Sequence, residues 1–199
     1  MSTRWYSEKK KEHFYKEAKK TGYRARSAFK LKQIQKKFNL INKGDIVIDL
    51  GAAPGGWSQV AKEIVDKKGK VIGIDLSPIK PISGIAFLQG DMTQKTSIDE
   101  LIKIIGEKKA DVVLSDMSPD ISGNYSVDQA RSIYLCEQAL STAQLVLKPG
   151  GHFICKVFEG QDFVDFSNKV KAKFDMVKSF NPSASRKSSS EIYLSLIHI

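Results

Sequence analysis

From Gly44 onward, short apolar runs alternate with longer segments in which apolar residues recur every three or four positions. The runs predict strands at Asp45–Leu50, Lys70–Asp75, Ile85–Gln89, Asp111–Ser115, His152–Val157, Phe174–Phe180 and Glu191–Leu196. The longer segments predict helices at Gly55–Lys67, Ser97–Gly106, Ser126–Leu147 and Phe163–Lys173. Such alternation builds right-handed crossovers, so the expected class is α/β, a mostly parallel seven-stranded sheet with helices on both faces. No helix separates the last two strands, which makes the final strand antiparallel. Their connection, Pro182–Ser190, is rich in Pro, Ser, Arg and Lys and reads as a loop.

Ahead of Gly44 the texture differs. Trp5–Lys20 mixes Lys and Glu with Trp5, Tyr6, Phe14 and Tyr15, has no Pro or Gly, and predicts a helix. After Gly22 a second helix is expected from about Arg24 to Phe38, with Ala28, Phe29, Leu31, Ile34 and Phe38 at helical spacing. Its remaining positions include Arg26, Lys30, Lys32, Lys36 and Lys37. On spacing alone this is either a solvated amphipathic cap on a core or a surface for a polyanion. The domain reading is a basic helical arm at 1–43 and a body at 44–193. The apolar ending Leu194–Ile199 resembles the translation of a sequencing adapter, so it is expected to be non-native and is set aside from functional reasoning.

Composition sharpens this picture in one respect. The 199 residues are 41% hydrophobic and 27% charged, ordinary for one soluble domain with its own core. The net charge of +10 is unevenly placed: residues 1–43 hold 14 Lys or Arg against 3 Asp or Glu, while the rest hold 18 against 19. That asymmetry disfavours an acidic-partner module and points to nucleic acid or a membrane surface. The arm lacks a concentrated apolar face, which disfavours the membrane. No run approaches the roughly 18 apolar residues of a span, and the polar N-terminus lacks a signal-peptide core. Cys136 and Cys155 lie in apolar runs and read as buried free thiols, in keeping with a cytoplasmic location. His13, His152 and His198 have no ligand spacing, so no metal is expected.

Chemistry concentrates at strand ends. Asp49-Leu-Gly51-Ala-Ala-Pro54-Gly55-Gly56-Trp57 is a strand, a glycine turn and a helix start, where backbone can approach a ligand closely. The spacing is neither a dinucleotide fingerprint nor a phosphate-binding P-loop. Asp75 ends the next strand and suits ribose hydroxyls, while Asp91, in Gly90-Asp91-Met92, could face an adenine amino group. These carboxylates point to an adenosine ligand without pyrophosphate recognition. Asp116, Lys156 and Glu191 should meet at the same sheet edge, with Lys30 leaning over it from the helix before the first strand. A Lys within an apolar strand needs a reason. Lys156 could be a structural ion pair with Asp116 or Glu191, or the group that activates a nucleophile.

The stretch Asp49–Gln59 resembles the cofactor motif of the RrmJ/FtsJ family of RNA ribose 2′-O-methyltransferases. The order Lys30–Asp116–Lys156–Glu191 matches that family's K-D-K-E tetrad. Flanking text agrees in Tyr23–Lys30, Ser115–Pro119, Cys155–Phe158 and Ser189–Tyr193, so the likeness covers residues 10–193. Ile121–Tyr125 and Ala184–Arg186 look closer to archaeal and eukaryotic members. The resemblance implies a Rossmann-like fold, S-adenosylmethionine as cofactor, and contacts to it from Asp49, Gly51, Pro54, Gly55, Gly56, Trp57, Asp75, Asp91, Met92 and Asp116. It implies catalysis by Lys30, Asp116, Lys156 and Glu191, with a uridine ribose of large-subunit ribosomal RNA as acceptor and the enzyme a monomer. Transfer RNA stays open as substrate, and so does a non-catalytic RNA-binding role on the same fold.

Overall fold

The computed structural model describes residues 13–185 and 190–198. The expected arm helix over Trp5–Lys20 therefore lies partly outside the described residues, as do Trp5, Tyr6 and Lys9–Lys11. Its described part is α1, residues 13–21. The elements that follow are α2 (Ala28–Phe38), β1 (Ile46–Leu50), α3 (Gly56–Val65), β2 (Lys70–Asp75), β3 (Ile85–Gln89), α4 (Lys95–Ile105) and β4 (Ala110–Ser115). The chain continues through α5 (Tyr125–Val146), β5 (Leu147–Phe158), α6 (Phe163–Lys171), β6 (Phe174–Phe180) and β7 (Glu191–His198).

One expected boundary is corrected. The second helix begins at Ala28, not Arg24, because α3 side chains occupy the backbone ahead of it. The Arg24 N–H donates to Gln59 Oε1 at 2.8 Å, Gly22 O accepts from Gln59 Nε2 at 3.1 Å, and Ser27 O accepts from Trp57 Nε1 at 2.9 Å. Helix α2 is an amphipathic cap on the core, with Lys32, Lys36 and Lys37 exposed on its outer face. Ala28, Phe29, Lys30, Leu31 and Ile34 are all buried.

The sheet order is β3-β2-β1-β4-β5-β7-β6. The pairs from β3 through β2, β1 and β4 to β5 are all parallel, while β7 runs antiparallel to both β5 and β6. The antiparallel final strand is as the sequence predicts. Its insertion between β5 and β6 was not legible from local pattern. Residues 194–198 continue β7 in register, Cys155 facing Leu194 and His152 facing Ile197, and Leu194 and Leu196 are buried.

Successive strand residues point to opposite faces, and this alternation sorts the core into two layers. Ile48, Ile72, Val113, Phe153, Cys155 and Leu194 pack with α4, α5 and α6. Val47, Val71, Val112, Leu114, Ile154 and Tyr193 pack with α1, α2 and α3. By the same two-residue period, Asp49, Lys156, Glu191 and Tyr193 fall on the α2–α3 side. Lys30, on the buried side of α2, faces that layer. The register sets Lys156 directly opposite Tyr193.

Candidate active site

The parallel strands end along one edge, and the loops there surround a cavity of about 770 Å³. Its walls include Gly51 and Ala53 from the glycine turn, Asp75 to Ser77 after β2, Gly90 to Thr93 after β3, and Asp116 to Asp120 after β4. Gly51 sits at φ +71°, and a Cβ there would lie 2.2 Å from Met117 Cγ. Glycine thus serves both a conformation that side chains disfavour and a close approach. The Asp75 carboxylate organises this rim: Oδ2 accepts from the Ala53 N–H at 2.9 Å and Oδ1 from the Ser77 N–H at 2.8 Å. Asp91 Oδ1 accepts from both the N–H and the hydroxyl of Thr93 at 2.8 Å. These bonds hold the Asp91 carboxyl below its ordinary pKa.

The residues read from sequence as cofactor contacts divide here. Gly51, Asp75, Asp91, Met92 and Asp116 line the cavity. Asp49, Pro54, Gly55, Gly56 and Trp57 are not part of its wall. Asp49 lies beneath the glycine turn, where its Oδ2 accepts from the Ser58 hydroxyl at 2.6 Å. Burial pushes its carboxyl up to about 7, the Ser58 bond opposing and the Asp116 charge adding to the rise. The Trp57 ring turns away from the cavity and packs on Tyr193, centroids 5.8 Å apart.

Beside the cavity the four tetrad residues converge as one connected chain. Lys30 Nζ lies 2.5 Å from Glu191 Oε1 and donates to the Tyr193 hydroxyl at 2.9 Å. That hydroxyl donates to Asp116 Oδ1 at 2.6 Å. Lys156 Nζ donates to the Asp116 carbonyl at 2.8 Å and stands 3.3 Å from its Oδ1. Lys30, Lys156 and Glu191 are buried, and Asp116 is the tetrad member that reaches the cavity wall among the described residues. Lys156 is thus ion-paired with Asp116, the residue that reaches the cavity wall.

Burial pushes the Glu191 carboxyl up, but the Lys30 ammonium, with the Ser185 hydroxyl and the Lys156 charge, outweighs it and leaves the group below its ordinary value. Burial, reinforced by Asp116 and Glu191, pushes the Tyr193 phenol well above its usual range. Tyr193 therefore stays protonated and remains a donor to Asp116. The sequence motif included Tyr193, yet no role was assigned to it. The available signal was its spacing of two from Glu191, which on a strand means a shared face.

Arg24 was likewise missed. Its guanidinium donates to the carbonyls of Pro54 (3.3 Å), Pro81 (2.8 Å) and Lys80. It passes close over Gly55, where φ is +108° and a Cβ would lie 3.4 Å from Arg24 Cδ. A residue counted with the basic arm instead ties the glycine turn to the segment after β2. Its carbonyl targets lie in two loops distant in sequence, so no local pattern could reveal them.

Comparison with known proteins agrees with this geometry. The profile of the FtsJ-like methyltransferase family matches residues 23–198. The chain belongs to that family. A Methanosarcina mazei protein named ribosomal RNA large subunit methyltransferase E is 51% identical over 185 residues, covering 93% of this chain and 68% of the relative. A protein of the same name from Acinetobacter baumannii is 47% identical over 193 residues, covering 97% and 89%. A Plasmodium falciparum crystal structure assigned as a ribosomal RNA methyltransferase superposes with TM-score 0.81 at 32% identity, covering 89% of this chain and 98% of that one. The FtsJ-like chain is a methyltransferase on a Rossmann-like sheet. No described helix is long and apolar enough to cross a membrane.

Two outcomes follow for this FtsJ-like site. An acid raised in the folded state stays protonated there while the unfolded chain has already ionised, so folding loses stability as pH climbs between the two values. Relative to wild type, Asp49→Asn should therefore gain stability from about pH 4 to about pH 7 and level off above. Thermal unfolding of both proteins across that range checks the sign. Arg24→Ala should speed amide hydrogen exchange severalfold in residues 51–56 and 77–83 while leaving β4 and β5 protected, with Arg24→Lys intermediate.

Proposed function

We propose that this methyltransferase moves a methyl group from S-adenosylmethionine to a ribose 2′-hydroxyl of large-subunit ribosomal RNA, acting in the cytoplasm. The observation that carries the reading is the fixed Lys156 amine, anchored by two oxygens of Asp116 where the cavity ends. The substrate reading draws on the relatives of the same family that bear that name.

The cavity fits the cofactor. Its volume falls within the range of small-molecule sites, about 300–1,000 Å³. Each Asp75 oxygen accepts one backbone N–H and keeps a second lone pair, so the carboxylate can take ribose hydroxyls without releasing the turn. Asp91 and Met92 would meet the adenine, and Gly51 leaves room for close backbone approach. When bound, the cofactor supplies an electrophilic methyl on a sulfonium sulfur.

The protein's part is to hold and deprotonate the hydroxyl. A neutral amine has two N–H groups and one lone pair. Once the Lys156 ammonium has given up one proton to solvent, the Asp116 carbonyl and carboxylate hold its two remaining N–H groups, and the lone pair is left for the incoming hydroxyl. With the methyl that the cofactor would supply, Lys156 Nζ would take the proton of the ribose hydroxyl as its oxygen is methylated. Tyr193 holds Asp116 Oδ1 from the other side, so the amine cannot swing without breaking a second bond. Lys30 and Glu191 neutralise each other and set Tyr193. They position the reacting pair rather than exchange protons with it. The basic arm supplies phosphate neutralisation, and the acceptor hydroxyl itself exists in RNA and not in DNA.

Labelled cofactor incubated with large ribosomal subunits or with total transfer RNA, followed by mapping of the modified ribose, tests the reading. Label should enter one ribose of the large-subunit RNA. Label in transfer RNA alone, or none in either, overturns the substrate. Lys156→Ala and Lys156→Arg should each slow transfer by about 100-fold or more, the scale of general-base catalysis, while binding cofactor as wild type does. Full activity in either removes Lys156 from its role.

A further inference from the structure

At the opposite edge of the sheet, where the parallel strands begin, Lys68, Lys70, Lys108, Lys109 and Lys148 surround a depression of about 500 Å³ with Asp111 in its wall. All five lysines are exposed. Part of this arrangement has an ordinary cause. Helices α4 and α5 end at this edge, and their terminal carbonyls favour cations. Lys70 donates to Ile104 O and Lys109 to Leu145 O. Lys148 pairs with Asp111, whose other oxygen accepts from the Ile46 N–H at 2.7 Å.

That account leaves a remainder. Lys68 and Lys108 make no hydrogen bond or ion pair with any described residue, although they share the depression with three other ammonium groups. A hydrogen bond to a carbonyl does not cancel a lysine's charge, and Asp111 supplies the one carboxylate in the wall. Residues 44–199 hold 18 Lys or Arg against 19 Asp or Glu, so this local excess stands in a body that is otherwise negative. Asp45 also acts on Lys148, yet five ammonium groups face two carboxylates here, and such an excess attracts anions from solution. The depression carries no exposed large apolar side chain that could enter a lipid surface.

We propose that this lysine basin is a second RNA contact, binding phosphates of a segment separate from the one that carries the reacting hydroxyl. The proposal rests on the RNA substrate inferred above. Strand β4 links the two sites, Asp111 at the basin and Asp116 at the cavity. At about 3.3 Å per residue Asp111 and Asp116 are roughly 17 Å apart. A large folded RNA or a ribosomal particle can present phosphates to both edges. A short hairpin seated at the cavity reaches one.

The test is the double variant Lys68→Glu/Lys108→Glu, which alters two exposed side chains without partners and so leaves the core intact. Affinity for large-subunit particles should fall about tenfold or more at moderate salt. The slope of log affinity against log salt should shrink by about 2, near 0.9 per lost phosphate contact. Binding and methylation of a short hairpin carrying the acceptor nucleotide should match wild type. Unchanged affinity for the particle overturns the proposal, and so does an equal loss on the hairpin, which would reveal a general field and not a second site. Wild-type binding to anionic lipid vesicles that the double variant loses, with particle affinity unchanged, would assign the basin to a membrane instead. The binding arms need no methyl transfer. A protein that binds particles through the basin but methylates nothing would sink the functional reading alone.

Discussion

Holding four charged side chains together, three of them buried and Asp116 half-buried at the cavity wall, is the constraint around which this site is built. An ion removed from water costs several kcal/mol unless partners replace its hydration. Here each charge meets an opposite one, Lys30 with Glu191 and Lys156 with Asp116, and the Tyr193 hydroxyl joins the two pairs. Removing any single member strands its partner in a poorly solvated place. The network is thereby rigid, and rigidity is what a reaction needing a fixed angle of attack requires.

The fold delivers these groups by simple geometry. The two-residue period of β5 and β7 turns Lys156, Glu191 and Tyr193 to one face, and the helix covering that face brings Lys30. Asp116 lies one residue beyond the end of β4. The cavity uses the other feature of parallel strands, loops gathered at one edge, with the Asp75 carboxylate and the Arg24 guanidinium binding them to each other. The two halves share Asp116, which is at once a wall of the cavity and the anchor of Lys156.

Much of this was legible in the sequence because the signals were local. Strand and helix periodicities placed nearly every element, and charged residues at strand ends marked the carboxyl edge. Arg24 escaped because its partners are carbonyls, which carry no sequence identity. The start of α2 was misplaced for a related reason: Gln59 and Trp57, from another helix, claim backbone groups that local spacing would have given to the helix. Pro54, Gly55, Gly56 and Trp57 adjoin residues that line the cavity without lining it themselves. The packing of the Trp57 ring on Tyr193 of β7 is a tertiary fact. The intercalated position of β7 is tertiary as well, since pairing order depends on which edges remain open and not on the strand's own pattern.

That intercalation has a consequence for biosynthesis. Strand β7 emerges from the ribosome after every other strand, yet it separates β5 from β6. Until it arrives, β5 presents an unpaired edge to the surroundings, the kind of template on which nascent chains associate wrongly. The same late strand carries Glu191 and Tyr193, while Lys30 waits 163 residues upstream of the tyrosine. A nascent chain can thus fold the loops around the cavity early and still lack the network of Lys30, Glu191 and Tyr193. The candidate site is whole only once the sheet closes.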